Sequence, residues 1–404
     1  MLAAACSSSG PSSQPTTTPP ASGSTAAPVA PETFSGSVDD FYRVPKPLPS
    51  AEPGTLIRVQ PITLLANSPY TSLRIMYHSR DAKQHDRAVT GVITYPKKSA
   101  PAGGWPVVAT AHGTTGIISK CAPSRVITQA PSIGVEGVSV ATDYIGLGPV
   151  GEIHPYLSGL DEGQSVLDSV RAARNLRAAH AGTDYVIWGH SQGGHAALWA
   201  HQLSATYAPE LHLKGTVALA PAAELTKTYG PVDRIVANIV SLMALYGAAP
   251  GNPEIDPDDY VGPQVEKLAK VVTSECLDTI TSTFVPVSAA TFYAHRPQDT
   301  QPARAMIIEN DPGHTKVDVP LLILQGDQDI RVAPERTDDL FARECKTGQV
   351  TEYHVYPGKD HDTVVGAGMP LSAGWLTDRL QGKPATDSCD DGKPVIEATG
   401  STGE

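Results

Sequence analysis

The sequence predicts an α/β fold with a mostly parallel central sheet, flanking helices and a helical cap inserted late in the chain. Short apolar segments typical of buried strands alternate with segments of helical spacing. A strand, a tight glycine-bounded turn around Ser191 and a helix follow one another directly. The interval between the apolar segments 215–220 and 320–325 is too long for an ordinary loop, so we expect it to hold the cap.

The N-terminal region indicates export. Residues 1–6, with the sequence MLAAAC, resemble the end of a lipoprotein signal peptide, which makes Cys6 a candidate lipidation site. A chance run of small residues is the alternative. Residues 7–35 are dominated by Ser, Thr, Pro, Ala and Gly and are predicted to form a disordered linker. We therefore expect a protein that is secreted or lipid-anchored on the outer face of the cell membrane.

The composition describes an acidic globular chain. Of its 404 residues, 40% are hydrophobic and 18% charged, and the formal net charge is −12. A strong negative charge repels phosphate backbones, so nucleic acid is excluded as a partner. No apolar run reaches the length of a membrane-spanning helix. A soluble body and a monomer are expected.

Four cysteines remain beyond Cys6, an even number that suits two disulfides in an exported protein. Three pairings are possible. Proximity in sequence favours Cys345 with Cys389, which leaves Cys121 with Cys276. The alternative is that some of the four are buried free thiols.

The catalytic domain is predicted over residues 36–224 and 317–385. In chain order, its first part shows two antiparallel strands, two buried parallel strands, a surface helix, and then a strand, a helix and a strand: 72–79, 88–95, 106–111, 137–142, 162–180, 185–188, 196–207 and 215–220. The cap is predicted over residues 225–316, with helices at 232–246 and 265–272. Strands at 320–325 and 350–356 complete the sheet, and residues 386–404 form a C-terminal tail.

The strongest motif lies at the turn between a strand and a helix. Residues 189–193 read Gly-His-Ser-Gln-Gly, with Ser191 at the centre. A sharp strand-to-helix turn lifts a serine hydroxyl out of the sheet, where a base can reach it. The string alone is moderate support, but its position between a strand and a helix identifies Ser191 as the candidate nucleophile.

An acid and a base follow in the order that this architecture requires. Asp327 and Asp329 both follow the strand at 320–325. We choose Asp329, which lies three residues past the strand-ending glycine and precedes an apolar residue, and interpret Asp327 as a turn residue. His361 is the candidate base because it lies shortly after the last strand, where its loop can return to Ser191.

The other histidines fit structural roles better. His354 lies within a strand and His314 precedes one, while His190 and His195 flank the turn and are expected to shape it. No His-Glu-x-x-His pattern, phosphate loop or dinucleotide fingerprint occurs, so neither a metal nor a cofactor is predicted.

Acyl transfer also needs donors for a tetrahedral oxyanion. The backbone N–H of Gln192 is one candidate, and Thr114, in the glycine-rich loop 112–116, is the other. An incidental glycine-rich turn is the alternative for that loop. Tyr144 follows another strand end, so it either lines the substrate pocket or packs in the core.

These residues resemble the secretory lipase family, the fungal lipase A type and its actinobacterial relatives, within the α/β-hydrolases. The resemblance rests on residues 111–116 (AHGTTG), 121–124 (CAPS) and 143–148 (DYIGLG), on the Ser191 turn, and on the Asp329 and His361 segments. It spans about residues 40 to 385. It implies a metal-independent lipase or carboxylesterase with an acyl-binding tunnel in the cap, and a disulfide between Cys121 and Cys276.

The hypothesis is therefore hydrolysis of carboxylic esters, with lipid esters such as acylglycerols as substrates. Acyl transfer to an alcohol, amide cleavage and polyester hydrolysis use the same triad and remain alternatives. An inactive cell-surface binding lipoprotein that kept the fold is the non-enzymatic alternative.

Overall fold

The computed structural model describes residues 31–64, 66–127, 132–227 and 234–398. The signal remnant at 1–6, Cys6 and the linker up to residue 30 lie outside the described residues, so they stay predictions. The linker boundary at residue 35 is wrong, because Glu32–Thr33 is a strand that pairs with the chain near Arg58. Phe34 then packs edge-on against Phe41, 5.7 Å between ring centroids, and anchors this segment to the core.

One sheet of eleven strands runs through the described part of the chain, in the order β1-β2-β3-β4-β6-β5-β7-β8-β9-β10-β11. The strands are β1 Glu32–Thr33, β2 Leu56–Ile62, β3 Tyr70–Arg80, β4 Asp86–Pro96, β5 Trp105–Ala111, β6 Val138–Thr142, β7 Ala181–His190, β8 His212–Leu219, β9 Leu321–Gly326, β10 Thr351–Tyr356 and β11 Val395–Ile396. β2, β3 and β4 are antiparallel neighbours, and β4 pairs antiparallel with β6. From β6 to β11 every pairing is parallel, which confirms the predicted mostly parallel sheet.

Helices cover both faces of this sheet. They are α1 Val38–Phe41, α2 Gly159–Asn175, α3 Gln192–Tyr207, α4 Arg234–Ala248, α5 Pro263–Glu266, α6 Leu277–Phe284, α7 Ala303–Glu309, α8 Pro334–Thr347 and α9 Thr363–Leu380. Val107 of β5 packs with α2 and α3, whereas its neighbour Val108 packs with α9, as alternation along a strand requires. Our expectation of a surface helix at 162–180 is wrong, because α2 is buried on nearly all sides between the sheet and its neighbours.

The helices α4 to α7 lie between β8 and β9, within the interval predicted as the cap. They share an apolar cluster that includes Leu242, Phe284 and Phe292, and Ile117 and Tyr156 of the body belong to the same cluster. The cap is therefore packed onto the loops beyond the carboxyl ends of the strands. Among the described residues, no helix combines the length and apolar character needed to cross a membrane.

Candidate active site

Ser191 occupies a strained turn between β7 and α3. Its backbone dihedrals are φ 60° and ψ −119°, in a region that residues with a side chain rarely adopt. The flanking glycines make the turn possible: a Cβ on Gly189 would lie 1.9 Å from the Gly193 carbonyl oxygen, and one on Gly193 would lie 2.0 Å from that of Ala111. The turn thus places the Ser191 side chain at the start of α3, where it faces the cap.

The structure brings the three predicted triad residues together. His361 Nε2 is 2.9 Å from Ser191 Oγ, and His361 Nδ1 is 2.7 Å from Asp329 Oδ2. Asp329 is 2% exposed, and its other oxygen accepts the backbone N–H groups of Arg331 and Val332. The buried carboxylate thereby fixes the tautomer that leaves Nε2 free to accept the serine proton.

His190 supports the base from the other side. Its Nε2–H donates to the His361 carbonyl oxygen at 2.8 Å, and the two rings lie 4.6 Å apart. Burial and the neighbouring His361 lower the pKa of His190 to about 4, so its ring is neutral at physiological pH.

The two predicted oxyanion donors lie beside Ser191. Gln192 is the first residue of α3, where backbone N–H groups have no partner within the helix. A Cβ on Gly113 would lie 3.7 Å from Ser191 Cβ, so the loop that carries Thr114 passes next to Ser191. The Thr114 hydroxyl is held by Tyr156, 2.6 Å between the two oxygens. Sequence reasoning missed Tyr156, which lies in a loop without a motif.

Tyr144 does not line the pocket, so of the two interpretations core packing is correct. Its side chain is completely buried, and its hydroxyl donates to the His112 carbonyl oxygen at 2.9 Å. Its ring stacks on His154, 5.5 Å between centroids. It therefore acts as a support beneath the loop that carries Thr114.

A cavity of about 1790 Å³ opens above Ser191 and His361. Its described lining includes Thr114, Gln192 and much of the cap. The apolar part of this lining includes Val236, Val240, Ala244, Leu277, Val285 and Met306. Such a space, with apolar side chains in the cap and polar groups at Ser191, suits a ligand that has a hydrocarbon portion.

A buried polar cluster, also missed from the sequence, lies behind the turn. Glu162 is completely buried in the first turn of α2 and contacts the side chains of Gln192 and His195. Burial raises the pKa of Glu162, but His195 and His154 outweigh that effect and lower it to about 2. One feature of the sequence could have identified Glu162 as a buried residue: it lies on the apolar stripe of α2, four residues before Val166.

Both predicted disulfides are present. Cys121 is bonded to Cys276, which joins the body to the start of α6 in the cap, and Cys345 is bonded to Cys389. Among the described residues, no cluster of His, Cys, Asp and Glu has a geometry that could hold a metal ion.

The fold is that of known lipases and esterases of the α/β-hydrolase type. Candida antarctica lipase A is similar over 91% of both chains, with a TM-score of 0.73 and 17% identity. A cell wall degrading esterase from Xanthomonas oryzae gives a TM-score of 0.65 at 16% identity, over 82% of this chain and 98% of that one.

Sequence relatives extend over most of the chain. A probable inactive lipase of Mycobacterium tuberculosis is 25% identical over 87% of this chain and 84% of its own length. A secreted triacylglycerol lipase of Malassezia globosa is also 25% identical, over 88% of this chain and 83% of its own. Residues 127–388 match the secretory lipase family, well over half of the chain. The chain therefore belongs to the secretory lipase family.

Proposed function

We propose that this chain hydrolyses carboxylic esters of lipids through an acyl-enzyme on Ser191. The observation that carries the proposal is the continuous contact from Ser191 Oγ to His361 to Asp329, at 2.9 and 2.7 Å. These distances lie within hydrogen-bond reach for proton transfer. A relative from Mycobacterium tuberculosis is named a probable inactive lipase, and the complete triad in this chain supports activity instead.

In the first half-reaction, Ser191 Oγ attacks the ester carbonyl carbon while its proton passes to His361 Nε2. The Gln192 N–H and the Thr114 segment stabilise the negative charge that forms on the carbonyl oxygen. When the tetrahedral intermediate collapses, the bond to the alcohol oxygen breaks and His361 delivers the proton to that oxygen. Water then attacks the acyl-enzyme by the same sequence and releases the carboxylic acid.

The cavity favours a long acyl group over a short one. Apolar side chains from α4, α6 and α7 line part of it, beside polar ones such as Asn238 and Thr281. Relatives from Malassezia globosa are named triacylglycerol lipases. Acyl transfer to an alcohol and polyester hydrolysis start from the same acyl-enzyme and are the competing reactions.

The test is hydrolysis of p-nitrophenyl esters of increasing acyl length and of emulsified triacylglycerol, by the wild type and by Ser191→Ala. We expect release of acid from long-chain esters by the wild type and a loss of at least about 10³-fold in Ser191→Ala. Unchanged activity in Ser191→Ala would contradict the mechanism. Activity confined to short soluble esters would make the chain a carboxylesterase, and transfer to added alcohol in preference to water would make it an acyltransferase.

A further inference from the structure

The buried carboxylate of Glu162 accepts hydrogen bonds from both chain segments that flank the candidate oxyanion site. Its Oε1 accepts the backbone N–H of Leu157 at 3.0 Å and the Gln192 side-chain amide at 2.8 Å. Its Oε2 accepts His195 Nδ1–H at 2.7 Å. The side chains of Glu162 and His195 are both without exposure to solvent.

Both ring nitrogens of His195 are held by oxygen atoms. Its second ring nitrogen, Nε2, lies 2.8 Å from the Asn310 carbonyl oxygen, which can only accept a hydrogen bond. Glu162 and His195 therefore form a buried polar pair, a type of contact that often stabilises a fold no more than apolar packing of the same volume would.

The contacts of Glu162 lead to both predicted oxyanion donors. Gln192, whose backbone N–H is the first donor, is tied to Glu162 through its own side chain. Leu157, tied through its backbone, is preceded by Tyr156, whose hydroxyl lies 2.6 Å from that of Thr114. One rigid group thus spans the start of α3 and the loop that supports Thr114.

We propose that Glu162 is the positioning residue of the oxyanion site, holding Gln192 directly and Thr114 through the Leu157–Tyr156 segment. This inference rests on the proposed function. Donors aimed at a developing oxyanion act only when they are held in place before the reaction, and a displacement of about 1 Å lowers the rate by roughly 10²-fold. Loss of Glu162 should then weaken transition-state binding more than substrate binding.

Asp168 provides a matched control on the same helix. It is also completely buried and also accepts three side-chain donors, from Ser79, Arg171 and Tyr207. None of these partners lines the cavity. A general loss of support for α2 should therefore appear in Asp168→Ala as well as in Glu162→Ala.

The experiment compares Glu162→Ala with Asp168→Ala at a temperature below the Tm of both variants. It measures kcat and KM on a p-nitrophenyl ester, and also inhibition by an alkylboronic acid, which forms a tetrahedral adduct on serine. For Glu162→Ala we expect kcat to fall by about 10- to 100-fold, KM to change less than about threefold, and boronate affinity to weaken with kcat. For Asp168→Ala we expect a lower Tm and a kcat within about threefold of wild type. Equal kcat losses in both variants would overturn the proposal.

Two further variants test the proposed role of Glu162 if Glu162→Ala does not fold. Gln192→Leu keeps the backbone N–H but removes the tie to Glu162, and we expect kcat to fall by about tenfold. Glu162→Gln can satisfy Leu157, Gln192 and a neutral His195, so we expect it to restore most of the activity. Wild-type kcat and boronate affinity in Gln192→Leu would overturn the proposal. An inactive wild type would instead refute the proposed function, and this inference with it.

Discussion

Two carboxylates follow β9, and their contacts give them different roles. Asp329 is buried against His361, whereas the exposed Asp327 accepts the backbone N–H of Gly358 at 2.6 Å. We predict that Asp329→Asn lowers kcat/KM by roughly 10³- to 10⁴-fold, because the amide no longer holds the required His361 tautomer. Asp327→Asn should stay within about threefold of wild type. Steady-state kinetics of both variants on one ester test this prediction. A larger loss of kcat/KM in Asp327→Asn than in Asp329→Asn would make Asp327 the acid of the triad instead.

Glu344, on α8, is a buried acid remote from the triad. Burial raises its pKa to about 7, from the 4.5 of an exposed glutamate. Between these pH values the folded chain holds a proton that the unfolded chain has lost, so this group stabilises the fold fully below pH 4.5 and its contribution falls as the pH rises to about 7.

We therefore predict that the Tm of Glu344→Gln rises relative to wild type as the pH increases from about 4.5 to 7, because glutamine carries no charge to bury. Thermal unfolding at several pH values measures this difference. Glu335→Gln, an exposed change on the same helix, is the control and should give a constant offset. A Tm difference for Glu344→Gln that did not change with pH would refute the assignment.

At the scale of elements, the two disulfides hold different parts of the molecule. The bond between Cys121 and Cys276 lies against the glycine-rich loop 112–116: a Cβ on Gly116 would lie 2.6 Å from Cys121 Sγ, and Leu277 N–H donates to the Thr115 carbonyl oxygen at 2.9 Å. The bond between Cys345 and Cys389 instead joins α8 to the segment before β11.

We predict that replacing both Cys121 and Cys276 by alanine lowers Tm and also lowers kcat by about tenfold, because the loop beside Ser191 loses its fixed neighbour. Each disulfide should contribute about 2–4 kcal/mol to the free energy of unfolding. Replacing Cys345 and Cys389 should therefore lower Tm and leave kcat within about twofold of wild type. Calorimetry and kinetics on both double variants test this, and equal effects on kcat would contradict it.

Helix α4 presents small side chains to the cavity. Ala237, Val240, Ser241, Ala244 and Gly247 all belong to its lining, and their spacing of three and four residues places them on one face. The helix thus leaves room along its length for an extended chain.

We predict that Ala244→Phe shifts the preferred ester to shorter acyl chains, because the ring would fill part of this apolar space. Long-chain kcat/KM should fall by about tenfold or more while short-chain kcat/KM changes by less than about threefold. Ala305→Phe, at an exposed cap position outside the described lining, is the control. A uniform loss across chain lengths in Ala244→Phe would show that this face does not bind the acyl group.

At the scale of the whole molecule, the sequence predicts those features of the fold and the site that depend on short apolar runs and on the order of residues along the chain. The buried parallel strands belong to that part, and so does the proximity of Ser191, Asp329 and His361 in the fold. It did not predict β2, or the two-residue strands β1 and β11, which have too few residues for a pattern. It also missed the contacts of Tyr156 and Glu162, because these depend on segments that only the folded chain brings together.

The formal net charge of −12 is a property of the whole molecule that bears on a lipid substrate. A lipid ester is presented at a surface, and an acidic protein is repelled from an anionic surface over about one Debye length, roughly 10 Å at 0.1 M salt. This net charge already includes the Lys and Arg residues of the cavity lining, among them Arg331, which is paired with Asp362 at 2.9 Å.

We predict that acid release from triacylglycerol emulsions coated with anionic phospholipid is several-fold slower, at about 0.01 M salt, than from emulsions coated with zwitterionic phospholipid. The difference should narrow when the salt is raised to about 0.2 M, because screening shortens the range of the repulsion. Hydrolysis of a short soluble p-nitrophenyl ester serves as the control and should not depend on salt in this way. Equal or faster rates on the anionic emulsion at low salt would show that a local surface, and not the net charge, governs adsorption.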